Sequence, residues 1–176
     1  CCDIKYDIPD IQTRHYRSPE IILNYKFNET CDVWSMGCVL YEMLTGEVLF
    51  NPDKSRRFNR DRQHLYDMQS MLGLIPRHII DKSLKKRVFF KNNGLMKGVN
   101  SIDYIPFEKE LFYRIKKNNH NITDNEIGYV IDLINKMLEY DPSKRPTPSE
   151  CLNHKWFSNL MSRTHHSAGT VTTIAH

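Results

Sequence analysis

Three short clusters hold the side chains best suited to chemistry. The first is Thr13-Arg14-His15-Tyr16-Arg17-Ser18-Pro19-Glu20, the second Cys31-Asp32-Val33-Trp34-Ser35-Met36-Gly37-Cys38, the third Asp141-Pro142-Ser143-Lys144-Arg145-Pro146-Thr147. Arginine beside glutamate suits bidentate ion pairing, because the planar guanidinium fork matches a carboxylate. Thiols and imidazoles raise metal and redox chemistry, and their spacing argues against both. The five cysteines fall at positions 1, 2, 31, 38 and 151, an odd number with no Cys-x-x-Cys pair. Cys31 and Cys38 sit inside an apolar helical stretch and read as buried reduced thiols. Cys1-Cys2 has no visible activating neighbour. The eight histidines are scattered, with His165-His166 in a polar tail, so no metal site is expected. Asn28-Glu29-Thr30 and Asn121-Ile122-Thr123 fit a glycosylation pattern, but both lie at helix starts, which explains them without secretion.

The whole chain sets the limits on what can position these clusters. It has 176 residues, 40% hydrophobic and 26% charged, enough for one domain with a full core and no disulfide staples. The balance of 25 basic against 21 acidic residues gives +4. That is too mixed for a nucleic-acid or membrane footprint. No apolar run approaches the ~18 residues of a membrane span. The chain opens Cys1-Cys2-Asp3, without Met or a signal peptide, and so reads as cut from something longer. Reduced thiols and no signal peptide lead to an expectation of cytoplasm and/or nucleus.

The elements follow from periodicity and punctuation. Residues 1–18 read as extended or looping, followed by a helical turn at Pro19–Leu23 with Pro at its first position. Residues 30–45 are the clearest helix, with Asn28 or Thr30 as cap, Asp32 at the positive end and Gly46 as stop. Its apolar residues surround the axis, which predicts a central helix buried on all sides. Residues 51–63 read as a polar loop and 64–72 as an amphipathic helix ended by Gly73 and Pro76. Residues 77–120 read as a long irregular insert, anchored by Phe89-Phe90 and turning at Asn93-Gly94. Thr123-x-x-Glu126 is a capping box with an Ile122–Ile127 staple, opening a helix over 123–138. Thr147-Pro148-Ser149-Glu150 opens a short helix through Leu152, with Trp156 and Phe157 packing behind it. The tail 161–176 reads as polar and disordered. The fold class is mainly α, with four to six helices.

In this order, with a buried helix between the first two, the three clusters resemble the lower, C-terminal lobe of a eukaryotic protein kinase. Ser18-Pro19-Glu20 stands where that family closes its activation segment. The resemblance covers residues 1–160, as a kinase-domain fragment from the activation segment onward whose N-terminal lobe is absent. Within the family, Ile11-Gln12-Thr13-Arg14, Tyr16-Arg17-Ser18, Leu49-Phe50-Asn51-Pro52, His64 before Leu72-Gly73, Phe89-Phe90 and Gly94-Leu95 look most like SR-protein kinases. Clk-type kinases, which share Arg14-His15-Tyr16-Arg17, are the nearest rival.

The resemblance implies a serine/threonine protein kinase that phosphorylates protein substrates, Arg/Ser-rich ones among them. Thr13 would bond the catalytic-loop Asp and Lys, and Arg17 would shape the pocket for the residue after the phosphoacceptor. Arg14 and Tyr16 would pack or pair within the loop. Glu20 and Arg145 would form a buried structural ion pair, Asp32 would accept bonds from the catalytic loop, and Trp34 would be core. SR-protein kinases carry an acidic docking groove. Here Glu47 keeps an acid and Asp67 lies nearby, but Gln63 and Ser70 stand where that family has acids. Each lost carboxylate would cost very roughly 1 kcal/mol of attraction for an arginine run. No Gly-x-Gly-x-x-Gly, Val-Ala-Ile-Lys, His-Arg-Asp or Asp-Phe-Gly occurs. ATP and Mg2+ would therefore serve the parent enzyme and find no ligands here, so no catalytic residue is assigned in this chain. A monomer, with no direct nucleic-acid or membrane partner, is expected. The alternatives are a fragment of a pseudokinase or scaffold that binds partners without catalysis, and an unrelated helical adaptor.

Overall fold

The computed structural model describes residues 11–52, 58–119 and 121–158. The expectations for Cys1-Cys2, for residues 53–57 of the polar loop and for the tail 161–176 lie outside the described residues. The described residues form eight α-helices: α1 Pro19–Leu23, α2 Thr30–Thr45, α3 Arg60–Leu72, α4 Arg77–Lys82, α5 Lys86–Phe89, α6 Phe107–Asn118, α7 Asp124–Met137 and α8 Pro148–Leu152. The only strand-like pairing among them is an isolated antiparallel bridge between Phe90 and Met96. A mainly helical fold follows.

α2, α6 and α7 pack on one another and make the centre. α7 forms because Thr123 and Glu126 complete a reciprocal capping box, 2.8 Å from Thr123 N to Glu126 Oε2 and 3.3 Å from Glu126 N to Thr123 Oγ1. It then buries Ile127, Val130, Ile131 and Ile134 on one face. α2 approaches α7 closely at Gly37. A Cβ there would lie 3.0 Å from Met137 Cβ and 3.2 Å from Leu138 Cδ2. α2 ends at Gly46, whose φ of 75° lies in the left-handed region that favours glycine. α8 repeats the capping box with Thr147 and Glu150. Behind it Trp156 and Phe157 pack half-buried, their ring centroids 4.8 Å apart, against Val33, Leu133, Met137 and Cys151. Cys31, Cys38 and Cys151 are buried free thiols, and burial pushes the Cys31 thiol up to about 11.

Three expectations need correction. α2 is not buried on all sides: Asp32 is exposed, and Met36 and Met43 are 55% and 78% exposed. These positions recur at helical spacing on one face, which no described element covers. The polar loop ends earlier than expected, because α3 begins at Arg60. The Asn59 side chain accepts the Arg62 amide at 2.9 Å, so a cap overrides the charged composition. The long insert is not irregular but carries α4, α5 and α6. In α6, Phe107, Leu111 and Ile115 recur every fourth residue and are buried, a face masked in the sequence by six charged residues of the same helix.

Candidate functional site

The first cluster folds as a single 3-10 turn, Arg14–Tyr16, laid across the start of α2. Gln12 sets its entry. Its φ of 67° is a left-handed conformation uncommon for a residue with a side chain. Its amide repays that strain by joining two elements. Nε2 donates to Cys31 O at 2.8 Å and Ser35 Oγ at 3.0 Å, while Oε1 accepts from Ser18 N at 2.9 Å. Sequence reasoning used Gln12 only as part of a motif. Its clamp depends on a backbone angle that composition does not announce.

Two further bonds hold the turn from outside. Tyr16 Oη donates to Glu42 Oε2 on α2 at 2.7 Å, and that bond raises the phenol's pKa above its usual value. Arg14 Nη1 pairs with Asp61 Oδ1 at the start of α3, also at 2.7 Å. Arg14 and Tyr16 thus bind the neighbouring helices rather than packing or pairing within the loop, because both side chains are long enough to leave it. Thr13 is exposed, and its hydroxyl makes no hydrogen bond among the described residues. Arg17 is buried beneath the turn, with Nη2 donating to Gln12 O at 3.0 Å.

Behind the turn, Glu20 and Arg145 meet across 125 positions. Arg145 Nη1 and Nη2 donate to Glu20 Oε1 and Oε2 at 2.7 and 3.0 Å, and both side chains have no solvent exposure. Nη1 also reaches Thr30 O at 2.8 Å, and Nε reaches Glu139 O at 3.0 Å. The guanidinium carbon lies 5.3 Å from the Trp34 ring centroid, a cation–π contact inside the core. Trp34 is fully buried between Phe50 and Tyr140. Arg145 is aimed by the turn before it, where Asp141 Oδ1 accepts Ser143 N at 3.0 Å and Ser143 Oγ at 2.7 Å. Burial pulls the Asp141 carboxyl up, but hydrogen bonds from Ser143 and His78 hold it below the usual range. Asp32 lies in the first turn of α2 and caps nothing. Asn28 Oδ1 instead accepts Thr30 N at 3.1 Å.

α3 carries the remaining candidates. Asp67 accepts Gln63 Nε2 at 2.6 Å, and burial raises its carboxyl to about 6 against that bond. Ser70 is buried and turned back onto Tyr66 O at 3.0 Å. The Glu47 carboxylate is held by Arg114 Nη1 at 2.6 Å. The structure thus brings Thr13, Arg17 and Glu20 onto one tethered segment, and sets Glu47 apart with α6. The chain has no Gly-x-Gly, and among the described residues no cluster of three His, Cys, Asp or Glu has the placement to hold a metal ion.

A family model described as a protein kinase domain matches residues 9–157. The chain is 30% identical over 151 residues to the Serine/threonine-protein kinase SKY1 of Saccharomyces cerevisiae, covering 86% of this chain and 20% of that protein. It is 31% identical over 160 residues to the Serine/threonine-protein kinase SRPK of Physarum polycephalum, covering 91% and 37%. It is 37% identical over 156 residues to the Dual specificity protein kinase CLK1 of Mus musculus, covering 88% and 30%. The chain thus spans only about a fifth to two fifths of the length of these relatives.

Proposed function

The chain belongs to the protein kinase domain family, and on that premise we propose that it forms the substrate-facing helical lobe, over residues 1–160, of a serine/threonine protein kinase. In this reading the lobe holds a protein substrate while ATP and Mg2+, carried by other parts of the parent enzyme, supply the phosphoryl group. The observation that carries it is the tethered turn. Bonds from Gln12, Glu42 and Asp61 fix residues 12–18 on α2 and α3 while Thr13 stays exposed. A segment so held keeps a bound peptide in register for in-line attack, where most of the rate of such a transfer arises from positioning. Thr13 would bond the catalytic loop, Arg17 would shape the adjacent substrate pocket, and Glu20, Asp32, Trp34 and Arg145 would hold the frame.

The resemblance to SR-protein kinases, together with a relative named SRPK, supports Arg/Ser-rich segments as the substrate class in this reading. Asp67 and Glu47 supply the local negative charge for arginine. Glu47 is 67% exposed on its side chain and shared with Arg114, so a substrate arginine competes with an internal one. This gives a weaker groove than one with acids at positions 63 and 70 as well, and one tuned by pH through Asp67. The test measures initial rates of the full-length protein on Arg/Ser-repeat, acidic and Pro-directed peptides, with Arg17→Ala alongside. A preference for Arg/Ser that Arg17→Ala reduces about tenfold or more supports the reading. Equal rates on all three peptides exclude the SR-type substrate class. Undetectable transfer with retained peptide binding favours the scaffold alternative.

A further inference from the structure

His64 sits near the start of α3 and is 1% exposed. Its Nε2 is buried and has no hydrogen-bond partner among the described residues. Buried side-chain nitrogens nearly always have one, and leaving one without it costs stability. A phenylalanine would fill the same space without that cost. An imidazole kept there despite it points to a partner that arrives with function.

The ring ends a column of packed groups. Its centroid lies 5.3 Å from that of Phe50, at 56°. Phe50 stacks on Trp34 at 6.2 Å and 15°, and the Arg145 guanidinium carbon lies 5.3 Å from the Trp34 ring centroid. The column thus runs from the buried Glu20–Arg145 pair toward the tethered turn. On the turn's side, the charged groups that act on His64 are Arg14, Arg17 and His15. Burial and these neighbours keep the imidazole neutral, with its pKa lowered to about 3. Cations beside it suit the tautomer with a lone pair on Nε2, which accepts where an N–H does not. Three residues earlier on the same helix, Asp61 holds Arg14 at 2.7 Å. Arg17 lies buried beneath the turn, with Nη2 on Gln12 O at 3.0 Å. Two acceptors of different strength therefore stand under the turn. A carboxylate fixes a guanidinium, while a neutral imidazole holds one more weakly and lets it adjust.

We propose that His64 is a positioning residue for the substrate peptide: its Nε2 is the acceptor that holds the Arg17 guanidinium when the residue after the phosphoacceptor enters the pocket that Arg17 shapes. This rests on the substrate-facing reading of the lobe. His64 does not touch the peptide and acts through Arg17. The test compares His64→Phe, which keeps a ring and removes the nitrogens, with His64→Gln, which keeps an acceptor and removes the ring. Affinity for a fluorescent Arg/Ser-repeat peptide is read by anisotropy on the full-length protein, with melting temperature and phosphoryl transfer alongside. His64→Phe should melt at or above the wild-type temperature, having lost an unsatisfied buried nitrogen, yet bind the peptide about tenfold or more weakly. His64→Gln should melt lower, for want of the ring, yet bind within about threefold of wild type. His64→Phe combined with Arg17→Ala should bind no worse than Arg17→Ala alone, because groups acting as one unit are not additive. Wild-type binding by His64→Phe, additive losses in the double variant, or affinity that follows melting temperature across the variants would overturn the proposal. Absent transfer with peptide binding intact counts instead against the kinase reading, since binding alone still decides the role of His64.

Discussion

Removing the guanidinium of Arg145 leaves Glu20 as a carboxylate with no exposure and no cation. Arg145→Ala is therefore expected to cost about 3–5 kcal/mol, read from urea unfolding. A melting shift too small to register would refute the pair's structural role. Two groups on α3 respond to pH with opposite sign. His64 is 1% exposed, and burial, with Arg14, Arg17 and His15 nearby, lowers its pKa to about 3. The unfolded chain protonates near pH 6.5, so His64 contributes stability that is present above that pH and drains as pH falls toward 3. His64→Leu should flatten the unfolding midpoint between about pH 7 and pH 4; an unchanged slope would assign the acid loss elsewhere. Asp67 has its carboxyl raised to about 6, chiefly by burial. Its contribution is full below the unfolded value near 3.9 and is lost as pH rises through 6. Asp67→Asn should therefore stabilise at pH 7.5 by about 1 kcal/mol, a figure reduced for solvent screening, and have no effect at pH 4. The same ionisation should strengthen arginine-peptide binding as pH passes about 6.

At the scale of elements, the α2–α7 contact is the most demanding. With a Cβ at Gly37 already 3.0 Å from Met137 Cβ, Gly37→Val must push the helices apart. The expected loss is about 1–3 kcal/mol, visible as a lower melting temperature. A neutral result would mean that the two helices do not pack this tightly. Helices with local signals are legible in the amino-acid sequence. α7 and α8 carry capping boxes, α1 carries its proline at the first position, and α2 ends on Gly46. α6 is not legible there, because its buried face of Phe107, Leu111 and Ile115 is set among Glu108, Lys109, Glu110, Arg114, Lys116 and Lys117. The apolar sequence of α2 predicts burial all round, yet periodicity measures which side chains can be buried, not which find a neighbour.

For the whole molecule, the 176 residues contain no glycine-rich phosphate loop, no His-Arg-Asp and no Asp-x-Gly. The purified 176-residue chain is expected to show no phosphoryl transfer and no ATP-dependent thermal shift; transfer above background would refute this. The sequence by itself determined the family, through three ordered clusters. It also determined the helix starts and stops that rest on contacts within about four residues. It pointed to Glu20 with Arg145 only through the family likeness. Only the tertiary structure decided that these two groups meet at 2.7 and 3.0 Å, and that Gln12 clamps α2 to Ser18 from a left-handed backbone. It alone shows that Arg14 and Tyr16 reach out to α3 and α2, and that Arg114 occupies Glu47. The reason is physical. Caps and periodicity are local and are written in neighbouring residues. Pairing across tens of positions, burial of a charge and the shift of a carboxyl's pKa depend on which distant groups the packed helices bring within a few ångströms.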